Sequence, residues 1–197
     1  AELNPEHISA YSLIIEEGTS FAQRELDLPD EDTEYQMYED TAEILGTYGY
    51  QQYEISNYAK PGYMCRHNAG YWQRREYLGF GLGASSLYRE LRFSNTRRMQ
   101  EYLTDSGKLE QIRKEVTVLS RNEQIEEFMF LGLRMTEGIS EKLFKETFGV
   151  RIMDIYGDIL QKYEAIGFME HIETKWCLTR KGIHVSNHIL ADFLLDE

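Results

Sequence analysis

The 197-residue sequence predicts an α/β protein in two parts, strands alternating with helices to about residue 112 and a mainly helical segment from 113 to 197. Three observations carry that expectation. Apolar runs such as "HISAYSLII" (7–15) and "YLGFGLGASSLY" (77–88) alternate with stretches of helical period, the order of βαβ units around a parallel sheet. Beyond residue 113 the period is helical except for one short hairpin. The composition, 42% hydrophobic and 28% charged, suits a globular chain with a sizeable core. No uninterrupted apolar run approaches the ~20 residues that span a bilayer.

Taken in order, "HISAYSLII" is nearly continuous in apolar residues, which predicts a strand covered on both faces until Gly18 breaks it. In "PDEDTEYQMYEDTAEILGTYGY" (29–50), Tyr35, Tyr38, Ala42 and Leu45 fall at helical spacing behind an acidic first turn, with Gly46 or Gly49 as the stop. "YQQYEISNY" (50–58) is strand-like and Pro61-Gly62 closes it. The run at 77–88 predicts another buried strand, with glycines that admit a close approach to the backbone. "TRRMQEYLTDSG" (96–107) is helical. In the second part, Ser120 and Glu123 form a capping box at the head of a helix over 120–135. A short helix runs from a Ser140 cap to Gly149, and a third fills 151–167 and stops at Gly167. A hairpin over 168–182 turns near Glu173–Lys175, and Thr179 caps a last helix. Three helices, a β-wing and a closing helix predict a winged-helix-like module.

Charge narrows the partners. The net charge of -13 repels nucleic acid and anionic membranes. Residues 113–197 hold eleven Lys/Arg against fifteen Asp/Glu, with no basic stripe for a DNA groove. Packing or partner docking suits that module better. Residues 16–43 hold eleven Asp/Glu against Arg24 alone, while 66–98 hold seven Arg against Glu76 and Glu90. Such a cluster either recognises carboxylate or phosphate, since the planar guanidinium bonds them bidentately, or pairs with the acidic segment. Cys65 and Cys177 stand 112 positions apart with no thiol neighbour at metal-ligand spacing, which argues against a disulfide scaffold and a self-contained metal site and suits a reducing cytoplasm. The opening "AELNPEHISAYSLII" has neither a basic n-region nor an initiating Met, so it is expected to lie inside a longer chain rather than to be a signal peptide.

The densest stretch is "YMCRHNAGYWQRREYLGFGLGASS" (63–86). Here His67 stands beside Arg66 and Asn68, with Tyr71 and Trp72 one turn on. An imidazole to ligate iron, aromatic rings to flank a macrocycle and arginines for propionates are the parts of a haem-type site. The same residues also describe an ordinary hydrogen-bonded histidine. "GFGLGASS" (79–86) is GxGxG rather than GxGxxG, a poor dinucleotide fingerprint but a plausible bare-backbone strand for a cofactor to lie against.

Four ordered blocks, "HISAYSLIIEEGTSF" (7–21), "YEISNYAKPG" (53–62), "CRHNAGYW" (65–72) and "YLGFGLGASS" (77–86), resemble the C-terminal half of the HemW-type, oxygen-independent coproporphyrinogen III oxidase-like family of radical S-adenosylmethionine (radical SAM) proteins. The tail resembles that family's HemN-type C-terminal domain. The resemblance implies a partial (β/α) barrel of about six strands, to which residues 1–112 contribute the C-terminal half, with ligands at the C-terminal strand ends. It implies that His67, Asn68 and Tyr71 are the HNxxY haem-binding motif, His67 being the axial iron ligand. Gly79, Gly81, Gly83, Ala84 and Ser85 match the strand whose backbone lies against S-adenosylmethionine. Arg66, Arg74 and Arg75 are then expected near propionates, and Tyr71 and Trp72 beside the ring.

The family's CxxxCxxC motif, which holds a [4Fe-4S] cluster, does not occur in this sequence, and two distant cysteines cannot replace it. No catalytic residue, cluster or radical chemistry is therefore expected of this segment by itself. The implied role is a cytoplasmic haem chaperone that binds haem and passes it to an acceptor haemoprotein. One alternative is the oxygen-independent coproporphyrinogen III oxidase, and another is a non-catalytic interaction module over 113–197. A half barrel also exposes a strand edge, which predicts self-association or marginal stability.

Overall fold

The computed structural model describes residues 1–195. The chain enters through β1 (His7–Ser9), crosses to α1 (Glu31–Thr47) and returns as a hairpin of β2 (Gln51–Glu54) and β3 (Asn57–Ala59). Helix α1 begins where the Asp30 carboxylate accepts the Thr33 amide at 2.9 Å, and Glu31, Asp32 and Glu34 follow at its positive end. The strands form one antiparallel sheet in the order β1-β3-β2. What reads as a single strand over 50–58 is thus two, because the Glu54 carboxylate accepts the Ser56 amide at 2.9 Å and tightens a turn at Ile55-Ser56. Leu45, Tyr50 and Tyr58 bury against Ile8, Ala10 and Ala42.

The expected strand over 7–15 survives only as β1. Tyr11, Leu13 and Ile14 are exposed. A strand apolar on both faces needs neighbours, and residues 11–15 pair with no strand among the described residues.

Next come α2 (Arg66–Trp72), β4 (Ser85–Tyr88), β5 (Leu91–Asn95), α3 (Met99–Asp105), α4 (Leu109–Ile112) and β6 (Arg113–Val118). The second sheet has the order β4-β5-β6 and is also antiparallel. The parallel sheet expected from alternation does not form among the described residues. A two-residue turn at Arg89 and Glu90, both at positive φ, can only return the chain antiparallel. Strand β6 follows the expected boundary near 112, yet it completes the sheet of the first part.

The remainder is α5 (Arg121–Gly132), β7 (Ile139–Ser140), α6 (Glu141–Phe148), α7 (Ile152–Ala165), β8 (Met169–Ile172), β9 (Lys175–Leu178), α8 (Arg180–His184) and α9 (Ser186–Ala191). The local signals act as read. Ser120 and Glu123 cap α5 reciprocally, Ser140 caps α6, Gly149 ends it at φ +71°, and Glu173 turns the hairpin at φ +55°. The last helix is broken in two at Val185. The third sheet runs β7-β9-β8, and side chains from α5, α6, α7 and α9 close a core with Phe144, Tyr156, Leu160, Ile189 and Phe193.

Two seams join the parts. Thr136 donates its amide to the Tyr53 carbonyl at 3.1 Å, and Glu54 and Met135 form a β-bridge. On the other side, Glu39 of α1 meets Arg180 and His184 of α8, each at 2.6 Å, while the His184 ring lies 4.0 Å from Tyr35.

Candidate functional site

Helix α2 is seven residues long and lacks a side-chain cap at Cys65. Helices this short are not stable unaided, so α2 depends on what it packs against. Ala69 and Trp72, three apart, turn inward with Cys65 onto Tyr53, Ala59 and Met135. His67 and Tyr71, four apart, share the outward face, with ring centroids 4.7 Å apart at 78°. Tyr71 meets Tyr77 in turn at 4.6 Å and 87°. The three rings form an edge-to-face run leading from α2 into the glycine segment.

The His67 imidazole is exposed, and its nitrogens take no hydrogen bond among the described residues. His7, by contrast, meets the Tyr53 hydroxyl at 2.9 Å, and His184 is held by Glu39. Asn68 is half-buried beside Tyr53, whose hydroxyl is pushed up by burial and by the neighbouring Cys65. The HNxxY residues therefore divide: His67 and Tyr71 face solvent while Asn68 faces the hydroxyl that anchors β1. Sequence reasoning missed His7 and Tyr53, which lie 46 positions apart and meet only through the sheet.

The arginines separate sharply. Arg66 and Arg75 are exposed and form no ion pair among the described residues. Arg74, expected near a propionate, is buried instead. Its turn at φ +51° carries it to Glu127 at 3.0 Å and to Glu90, while Arg92 reaches Glu127 at 2.5 Å. Glu127 is a buried carboxylate on α5 and requires that compensation. These pairs also show where the arginine cluster finds its anions: no ion pair among the described residues links 66–98 to the acidic 16–43. Trp72, expected to flank a macrocycle beside Tyr71, lies on the opposite face, with the Arg134 guanidinium over its ring at 4.4 Å.

The glycine segment is a pinned loop rather than a buried strand. Tyr77 and Leu87 exchange backbone hydrogen bonds at 2.8 and 3.0 Å, and β4 begins only at Ser85. Asn95 donates its side-chain amide to the carbonyls of Gly79 and Gly81 at 3.1 and 3.0 Å. The amides of Gly79, Gly81 and Gly83 donate to Ser86, the Tyr102 hydroxyl and the Thr96 carbonyl. Positive φ at Gly81 and Gly83 makes the winding possible, and a Cβ on Gly79 would overlap the Ser85 carbonyl. The three glycine amides are thus engaged internally, while Leu78, Phe80 and Leu82 point outward, Phe80 being 86% exposed. Ala84 and Ser85 lead into β4, with the Ala84 carbonyl accepting the Asn95 amide at 2.9 Å.

No group of three or more His, Cys, Asp or Glu side chains gathers to hold a metal among the described residues. Cys65 and Cys177 are free, and burial pushes the Cys177 thiol up. Thiolate ligation of an iron–sulfur cluster does not fit these residues. The chemistry of a haem ligand does fit one accessible imidazole, His67, with the Tyr71 ring against it and the exposed Arg66 and Arg75 in the flanking chain.

A family model for the HemN C-terminal domain matches residues 119–185. Over 200 residues the chain is 36% identical to the "Heme chaperone HemW" of Lactococcus lactis, covering 100% of the chain and 52% of that protein. The corresponding protein of Bacillus subtilis is 35% identical over 98% of the chain, and that of Escherichia coli 33% over 99%, covering 52% and 51% of those proteins. The chain spans about half the length of the curated relatives it matches. Among solved structures, the radical SAM enzyme coproporphyrinogen III oxidase (HemN) of Escherichia coli superposes with a TM-score of 0.75 over 98% of this chain and 49% of its own, at 18% identity. That likeness carries the architecture alone.

Proposed function

Because this chain belongs to the HemW/HemN-like family and corresponds to the C-terminal half of its HemW-type members, we propose that it forms the haem-holding half of a cytoplasmic haem chaperone, which passes haem to an acceptor haemoprotein. The observation that carries this reading is the exposed His67 imidazole, free of hydrogen bonds among the described residues, on the outward face of α2. His67 would hold the iron, Tyr71 would lie beside the ring, and Arg66 and Arg75 would meet the propionates. Asn68 ties the helix to Tyr53 and takes no direct part in ligation. When bound there, haem supplies the iron and tetrapyrrole an acceptor needs. The chain supplies the ligand nitrogen, an apolar flank and a cationic rim on a surface open enough for release.

Residues 1–118 are read as part of the family's barrel and 119–195 as its winged-helix-like module, a partner-docking unit rather than a DNA reader. The absence of a helix long and apolar enough to cross a membrane among the described residues is compatible with a cytoplasmic place. The [4Fe-4S] cluster and S-adenosylmethionine belong to the barrel's other half in this reading, and the pinned loop 79–85 contributes shape to that site more than free amides. Coproporphyrinogen III oxidase activity rests on the fold likeness alone and is tested by incubating the full chain with coproporphyrinogen III.

Haem titration tests the main reading. His67→Ala should remove the Soret shift and weaken haem affinity at least tenfold, by analogy with the loss of an axial ligand. An unchanged spectrum and affinity would take His67 out of the role.

A further inference from the structure

Glu54 closes β2 and is fully buried, at 0% exposure. One carboxylate oxygen accepts the Ser56 amide and the Asn57 side chain. Among the described residues the other oxygen accepts no hydrogen bond, and it lies 3.7 Å from Arg134 Nη2. Arg134 comes from the turn after α5, in the module matched by the HemN C-terminal domain. Its Nε and the Nε1 of Trp72 are also buried without a hydrogen-bond partner, and its guanidinium carbon lies 4.4 Å from the Trp72 ring centroid. Three incompletely satisfied buried groups around one guanidinium are costly, and native proteins retain such features where they do a specific job. Satisfaction has been traded for flatness: the planar cation lies on the indole, and a carboxylate from the sheet holds it from the side.

The consequence falls on α2. Trp72 and His67 stand on opposite faces of a seven-residue helix whose N-terminus has no side-chain cap. What Trp72 leans on therefore sets the roll of the helix and the direction in which the imidazole points. The β-bridge between Glu54 and Met135, with the hydrogen bond from Thr136 to Tyr53, fixes the plate relative to the sheet.

We propose that Arg134, held by Glu54 and laid on Trp72, is a positioning residue for His67, through which the C-terminal module governs haem affinity without touching haem. This rests on the haem reading of His67. Removing Arg134 alone would strand a buried carboxylate, so the decisive variant is Glu54→Gln with Arg134→Met, which deletes both charges together. In the full chain, this double variant should keep its circular dichroism and thermal transition. Its haem affinity should fall about tenfold, as for a lost group that orients a metal ligand, with a shifted Soret band. Without haem, amide hydrogen exchange over residues 66–72 should quicken.

Arg134→Lys retains the cation but not the plate and should fall between the double variant and the native chain. Should the double variant lose its thermal transition, Arg134→Lys carries the same readouts. Wild-type haem affinity, or unchanged exchange over α2, overturns the positioning role. Loss of haem in His67→Ala beside native binding in the double variant sinks this inference alone. Native binding in His67→Ala sinks it together with the haem reading.

Discussion

Residues 119–193 gather fifteen buried apolar side chains into one cluster, whereas the preceding residues reach burial in clusters of four and three, the first of which borrows Met135 from the later part. Both regions are rich in apolar residues, so composition does not explain the difference. In the later region helices and hairpin fold their apolar faces onto one another. In the earlier region Leu13 and Ile14 stand 55% and 76% exposed, and Leu78, Phe80 and Leu82 point away from a loop that is itself tightly bonded. One region is a closed body and the other an open one leaning on it. The candidate haem ligand sits on the open region, on a helix whose inner face rests on the closed one. The proposed holding and release of haem would suit that region, because local stability is lower where few apolar contacts close over the backbone.

The sharpest way to break this comparison is to truncate one apolar side chain on each side. Phe144→Ala, in the closed core, should lower unfolding free energy by about 3–5 kcal/mol in a urea titration. Leu13→Ala should leave it almost unchanged, and comparable losses at both positions would abolish the distinction.

A smaller effect sharpens the seam between the regions. Burial works to raise the Glu39 carboxyl, but hydrogen bonds from Arg180 and His184 outweigh it and hold it below the usual range. A depressed carboxyl stabilises the fold above its unfolded pKa and loses that contribution as pH falls through the folded value. With Tyr35, Tyr38, Arg180 and His184 around it, Glu39→Gln should cost about 1 kcal/mol at neutral pH. Thermal unfolding of native and variant chains should converge below about pH 4; parallel curves across that range would detach Glu39 from the seam.

The smallest expected effect concerns the open face itself. Leu13→Ser with Ile14→Ser should change stability by less than about 0.5 kcal/mol, yet reduce the self-association proposed for the exposed edge, as read by sedimentation velocity. An unchanged sedimentation profile would show that these side chains are not the adhesive surface.

How much of this was legible follows from the range of the forces involved. Ser120 with Glu123, Ser140, Gly149, Glu173 and Thr179 act within three or four residues, and each marks its turn or cap where the sequence places it. The four-residue spacing of His67 and Tyr71 likewise brings their rings together. Arg74 was misread because its anion, Glu127, lies 53 positions away, and Trp72 because Arg134 captures it from another module. The glycine loop read as a strand because nothing local announces that Asn95 and Tyr102 will pin it. No spacing rule reports β6 joining β5, since pairing depends on how the two strands meet.

By itself, then, the sequence determined the caps of α5, α6 and α8 and the hairpin of the second part through local chemistry, and its ordered motifs carried the family resemblance from which His67 is proposed as an iron ligand. Tertiary structure alone decided the antiparallel pairing of the sheets, which arginines remain free, which aromatic ring faces outward and what fixes the roll of α2. Those outcomes depend on which distant group satisfies a buried charge or covers an apolar face, and chain order does not specify that distance.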